Sequence, residues 1–299
     1  MGSLTLRDIF RRMDSSLFTL HSSLSLGRPI DPVGGEVLCF DKPYALTSFR
    51  VVSRVRAILC RRLGIKSLKV GHAGTLDPLA TGVLIVCTGQ ATRRIDTLQA
   101  GTKEYIATLR LGATTPSLDM ETAEEACFPT AHISREAVEQ VLSRFRGRIE
   151  QVPPAFSAVK VDGKRAFKLA RKGKEPELKP KVLVIEDIEL LSLDLSPSNS
   201  TPRVVKIKET KDLPEATDIC AHNASLTPSL TLRIVCSKGT YIRALARDIG
   251  TALGSGAYLQ ALRRTRIGSY DLSQCLPLDT FEQWVAAQTL TTPKSPSYT

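Results

Sequence analysis

Asp77 is the residue whose setting suggests chemistry. It lies in VGHAGTLDPLATGVLIVCT, residues 70–88. Pro78 follows it, removes a backbone donor and biases Asp77 away from helical angles. Gly71 and Gly74 permit angles or close approaches that a side chain forbids. Asp77 is therefore expected on a tight loop that feeds the apolar run 82–87, which reads as a buried strand. A carboxylate held at the edge of a core can serve as nucleophile or general base. An Asp-Pro pair also caps turns, and on this stretch alone that plainer role stays open.

Other chemistries find less support. The seven cysteines, at 39, 60, 87, 127, 220, 236 and 275, form no C-x-x-C pair. A zinc site is therefore not expected, and the scattered odd count suits a reducing compartment. No G-x-x-x-x-G-K-[ST] occurs at 71–82, which removes a P-loop. A glycosidase would need a second, spaced acid, and none accompanies Asp77 in its motif.

The elements that must position Asp77 follow from the patterning. Residues 35–41 read as a strand stopped by Lys42-Pro43. Ser48 looks like the N-cap of a helix through Val51, Val52, Val55, Ile58 and Leu59, with Arg50, Arg54, Arg56, Arg61 and Arg62 making it basic. Residues 103–111 alternate like a half-buried strand, 114–125 are acidic and turn-like, and 134–145 form a helix. A loop, a strand and an Asp-Gly turn fill 151–164, and a short helix follows at 165–172. Strands are expected at 182–191 and 230–236, then a turn and helix over 239–253. A short basic stretch containing Arg263, Arg264 and Arg266 comes next.

The chain has 299 residues, a formal charge of +11 and a pI near 9.4. A polyanionic partner is implied, with nucleic acid ahead of an acidic membrane surface. The charge is locally steep. Nine Lys and Arg between 160 and 181 face only Asp162, Glu175 and Glu177. No run is long enough to span a membrane. The first 34 residues, rich in Arg, Ser and Leu, resemble a transit peptide or an untidy extension, without a secretory signal. Residues 194–229 lose hydrophobic periodicity and read as a mobile insert, and 291–299 as a disordered tail. One catalytic domain over 35–290 is expected.

Six blocks, in order, resemble the TruB-type tRNA pseudouridine synthases. They are FDKP at 40–43, GHAGTLDPLATGVL at 71–84, KEYIATLRLG at 103–112, QVPPAFSAVKVDGKRAF at 151–167, CSKGTYIRALARDIG at 236–250 and ALRRTRIG at 261–268. The resemblance implies an α+β fold, a mixed, largely antiparallel central sheet flanked by helices. It implies isomerisation of uridine to pseudouridine at position 55 in the T arm of tRNA, without cofactor. The partner is then the T stem-loop, no protein partner is implied, and a cytoplasmic monomer is expected. Four features depart from the family: Ala45 where glycine is usual, the insert, the unmatched N-terminal extension, and a chain that ends soon after Trp284, where many relatives carry a PUA domain.

By the same resemblance Asp77 is nucleophile or base. Whether it attacks C1′ or C6, or takes a sugar proton, stays open. Arg243 is its positive partner. Tyr241 contacts the base or moves a proton, Tyr105 stacks on the uracil, and Leu262 lines the base pocket. His72 fills the gap left by the flipped nucleotide, and Lys42 is structural or close to RNA. The basic segment 160–181 resembles a thumb that closes on the T loop. Each of these side chains also has an ordinary packing role. A catalytically silent RNA-binding or RNA-folding protein on the same scaffold is the rival reading.

Overall fold

The computed structural model describes residues 29–161, 163–173, 176–195 and 228–291. They fall into two compact units. One contains 29–101 and 264–291, the other 102–195 and 228–263. The insert at 196–227, most of the N-terminal extension and residues 292–299 lie outside the described residues.

The first unit begins earlier than the expected Gly35. Ile30 is buried, and it exchanges backbone hydrogen bonds with Thr289 and Thr291. Then come β1 (Val37–Lys42), α1 (Ser48–Leu63), β2 (Val70–Ala73), β3 (Ala80–Thr88) and α2 (Ile95–Ala100). β1 pairs antiparallel with β3 from Val37↔Cys87 to Lys42↔Gly82. Leu38, Phe40, Leu84 and Val86 face one side and pack with Val51, Val55 and Leu59 of α1. Cys39, Val83, Ile85 and Cys87 face the other and pack with Ala73 and Ile267. Both faces of β3 are covered, which is why its sequence is continuously apolar rather than alternating.

Helix α1 corrects the expected cap by one residue. Thr47, not Ser48, is the N-cap, and its hydroxyl accepts from the Arg50 N–H at 3.1 Å. Both residues carry a hydroxyl, so type alone could not separate them. Gly64, at φ +65°, closes the helix. β2 is a second correction. The stretch 71–81 reads as a loop from its glycines and Pro78, yet its first three residues, with Val70, pair antiparallel with β3.

The second unit contains β4 (Lys103–Leu111), the short pair β5 (Ala113–Thr114) and β6 (Ala126–Cys127), and α3 (Arg135–Ser143). β7 (Gly147–Gln151), β8 (Lys160–Val161), β9 (Lys164–Arg165) and α4 (Ala166–Ala170) follow. β10 (Lys181–Asp194), β11 (Ser229–Cys236), α5 (Ile242–Ala252) and the first part of β12 (Ala257–Ile267) complete it. β12, β4, β11, β10 and β7 lie side by side in that order. β11 pairs antiparallel with both β4 and β10, and β10 with β7. The strands on either side of the insert end at Asp194 and resume at Ser229, close to the expected limits. The basic stretch 263–266 lies within strand β12.

From Arg264 the chain returns to the first unit through β13 (Tyr270–Asp271), β14 (Leu276–Pro277) and α6 (Phe281–Ala287). β14 runs parallel to β1, and Phe281 of α6 packs edge-on against Phe40 with ring centroids 4.9 Å apart. The sheet is thus mixed and largely antiparallel, as expected. Among the described residues no helix is long and apolar enough to cross a membrane.

Candidate active site

In the first unit, the turn that bears Asp77 is held through its own backbone. Ser48 donates its hydroxyl to the Leu76 carbonyl and accepts from the Leu76 N–H, both at 2.9 Å. Arg264, 1% exposed, donates to Gly74 O at 3.0 Å and to Val83 O at 2.8 Å. Lys42 Nζ donates to Pro78 O at 3.1 Å, Leu46 O at 2.6 Å and Pro43 O at 2.9 Å. Asp77 O accepts from Ala80 N at 3.1 Å, closing the turn. Every residue from 76 to 78 is therefore fixed by a main-chain bond, while the Asp77 side chain stays partly exposed.

Two glycines make this possible. Gly74 sits at φ +96°, in the region that penalises a side chain. Gly82, at φ +100°, lies so close to the Arg264 backbone that a Cβ would collide with the carbonyl oxygen.

Of the two roles left open for Lys42, structural or close to RNA, its contacts are those of a structural residue. Its side chain is fully buried and its three N–H groups meet three carbonyls. It supports the Asp77 turn and has no surface to offer a substrate. Burial pushes its pKa down to about 7, against the pull of the nearby Asp77 carboxylate and with the repulsion of Arg264. His72, on β2, is partly exposed. Burial, helped by Arg264, lowers its pKa, which favours the neutral ring near pH 7. Its Nδ1 is buried with no hydrogen-bond partner.

In the second unit, Tyr241 and Arg243 are set by the start of α5. Tyr241 is its N-cap residue. The buried Gln151 clamps it in both directions, accepting from Tyr241 N at 2.9 Å and donating to Tyr241 O at 3.2 Å. Arg243, 5% exposed, donates to Ser117 O and Phe156 O, each at 3.0 Å. Its Nε lies 3.7 Å from the Asp119 carboxylate, which is equally buried. Between Ser117 and Asp119, Leu118 adopts φ +61°, a strained angle for a leucine. Tyr105 on β4 and Leu262 on β12 are both buried.

Sequence reasoning missed Asp119 and Gln151. Asp119 lies in the stretch read as an acidic turn. Its pairing with Arg243 spans more than a hundred residues, and no local pattern reveals that. Among the described residues no cluster of His, Cys, Asp or Glu could hold a metal.

Two family models match this chain. The model "TruB family pseudouridylate synthase (N terminal domain)" matches residues 61–212. The model "tRNA pseudouridylate synthase B C-terminal domain" matches 243–294.

The chain belongs to the TruB family.

Among its relatives, a tRNA pseudouridine synthase B from Phocaeicola vulgatus is 55% identical over 254 residues. That alignment spans 85% of this chain and 94% of the relative. The protein of the same name from Bacteroides thetaiotaomicron is 57% identical over the same shares. A solved structure, the crystal structure of a Cbf5-Nop10-Gar1 complex, contains a chain 25% identical to this one with a TM-score of 0.53. The likeness covers 85% of this chain and 56% of that one.

Proposed function

We propose that this TruB-family chain isomerises uridine to pseudouridine in tRNA, at position 55 of the T arm. The observation that carries the reading is the Asp77 turn, pinned by Ser48, Lys42 and Arg264 within the segment that matches the family. Pseudouridine formation breaks the bond from N1 of the base to C1′ of the ribose and makes one from C5 to C1′. C5 loses a proton and N1 gains one, so atoms and electrons balance without an oxidant or reductant. Such a reaction needs a carboxylate in a set position more than it needs a cofactor.

In this reading Asp77 is the nucleophile or base. Tyr105 stacks on the extracted uracil and Leu262 lines its pocket. Tyr241 contacts the base or moves a proton, and Arg243 is the positive partner of Asp77. His72, as a neutral ring, takes the place of the flipped nucleotide. The basic segment 160–181 supplies phosphate contacts that bind without reading sequence. The protein acts as a monomer in the cytoplasm.

The test is to incubate the protein with an unmodified tRNA transcript and map pseudouridine nucleotide by nucleotide. One modified uridine, in the T loop, is expected. Modification elsewhere, or none, overturns the reading.

A further inference from the structure

Helix α1 carries charge that the reaction described so far does not use. Its sixteen residues, SFRVVSRVRAILCRRL, include no acid. Arg56 is committed to the Val70 carbonyl at 3.1 Å, and Arg61 to Glu282 at 2.5 Å. Among the described residues, Arg50 and Arg54 have no carboxylate within ion-pair distance. They stand one turn apart on the same side of the helix. Phe49, next to Arg50 in sequence and about 100° from it around the helix, is 67% exposed, the most exposed large apolar side chain among the described residues.

A single exposed aromatic means little by itself. This one is singled out by its place. Ser48, its neighbour, is the residue that holds Leu76, and Leu76 precedes Asp77. Phe49 and the two arginines therefore sit on the outer surface of the segment that fixes the catalytic turn. An exposed flat ring on a helix turn that also carries two guanidinium groups without a carboxylate partner suits an unpaired nucleotide, with the base on the ring and the backbone phosphate reaching the charge. A protein partner would need acidic groups aimed at Arg50 and Arg54, and an acidic membrane would offer no flat face to stack.

We propose that Phe49, Arg50 and Arg54 form a second RNA contact, in which Phe49 stacks on an unpaired base of the substrate close to the modified uridine. The proposal rests on the reading of the chain as an RNA-modifying enzyme and extends it to a nucleotide outside the reacting pocket. None of the three residues belongs to the machinery assigned above.

The experiment uses the full chain and a T-arm hairpin RNA. Affinity is measured over a range of salt, and single-turnover rate at saturating protein, for wild type, Phe49→Ala, Phe49→Leu, Phe49→Trp and the Arg50→Ala/Arg54→Ala pair. Melting temperatures verify that each variant is folded. Phe49→Ala and Phe49→Leu should each weaken binding about tenfold, and Phe49→Trp should restore it, because stacking needs a ring. The arginine pair should lower the slope of log affinity against log salt by about 1.4, two charges at about 0.7 each for single-stranded RNA. The saturated rate should change less than twofold. Unchanged affinity in Phe49→Ala, full affinity in Phe49→Leu, or a slower saturated rate with normal affinity would each overturn the proposal. So would a change in oligomeric mass on Phe49→Ala, which would mean that a second copy covers the ring. Absence of turnover by wild type would instead defeat the functional reading, and the affinity comparison would still decide the contact.

Discussion

Along the turn that bears Asp77, three buried side chains hold the main chain at Gly74, Leu76 and Pro78. Along the basic stretch that begins at Lys160, the support is thinner. β8 and β9 are two residues each and α4 is five, tied back by Ala166 N to Val159 O at 2.7 Å and Phe167 N to Ser157 O at 3.0 Å. Lys160, Lys164, Arg165, Lys168 and Lys172 are all exposed, while Ala166 is fully buried. On the function proposed above, the difference suits two kinds of work. A reacting carboxylate loses rate when it is misplaced by an ångström, so its turn is fixed. Phosphate attraction is long-ranged and tolerant of geometry, so its lysines can remain solvated on a lightly tied segment. Changes in the turn should therefore show in rate, and changes in the basic stretch in affinity and salt dependence.

The largest effect is expected from Asp77→Asn. It should abolish product formation while leaving tRNA affinity within about 1 kcal/mol of wild type, since phosphate contacts supply most of the binding. Single-turnover assays and equilibrium binding measure the two, with deamidation back to Asp excluded by mass spectrometry. Appreciable turnover would end the assignment.

Arg243→Lys comes next. An ammonium cannot reach Ser117 O, Phe156 O and Asp119 together as the planar fork does. A lost charged hydrogen bond costs about 1.5–3 kcal/mol, which is roughly tenfold to a hundredfold in rate. Retention of the full rate would show that the positive charge alone suffices.

Replacing Lys160, Lys164 and Arg165 together by alanine tests the other side of the comparison. Affinity should fall about tenfold at moderate salt, with the salt slope lower by about 2 to 3 for three charges. The saturated rate should hold. A slow rate at saturation would show that this stretch takes part in the chemistry.

Lys42 gives a pH signature. Its pKa falls from 10.5 to about 7 on folding, so between those values the folded chain binds fewer protons than the unfolded one. Stability from this residue therefore rises with pH over about 7 to 10.5. Melting temperatures of wild type minus Lys42→Met should climb by a few degrees between pH 7 and 10. A flat difference would mean that the ammonium keeps its charge, as its three carbonyl partners favour.

The smallest effect belongs to Ala45, which stands at φ +60°. Ala45→Gly relieves a strain of about 1–2 kcal/mol and adds about 0.5–1 kcal/mol of unfolded-state entropy. A gain of one to three degrees in melting temperature should result, and a loss would show that the turn is not strained.

The sequence read well where chemistry and local pattern coincide. Asp77 on a shaped turn before a buried strand, the helix after Thr47 and the strands around 103–111 and 229–236 follow from residue types and spacing. It failed where partners are remote. Lys42 stays open between a structural role and one close to RNA until the Pro78 carbonyl, from the turn that bears Asp77, joins those of Pro43 and Leu46 around it. Asp119 reads as one acid in an acidic turn until Arg243 arrives beside it. Ser48 was correctly singled out for its hydroxyl and given the wrong work, because Thr47 satisfies the helix and leaves Ser48 to hold Leu76. β2 was hidden because Gly71 masks a four-residue strand whose evidence is its pairing with β3.

Ser48→Ala tests the central claim most directly, since it releases Leu76 without touching Asp77 or any charge. Two buried bonds are lost, and the variant should unfold more easily by about 1–3 kcal/mol yet remain folded at assay temperature. The decisive measurement is its single-turnover rate at saturating protein, taken beside its tRNA affinity. The account predicts a rate at least tenfold below wild type with affinity unchanged. A wild-type rate, or weakened binding at a normal rate, would contradict the claim that the fixed turn positions Asp77 for the reaction.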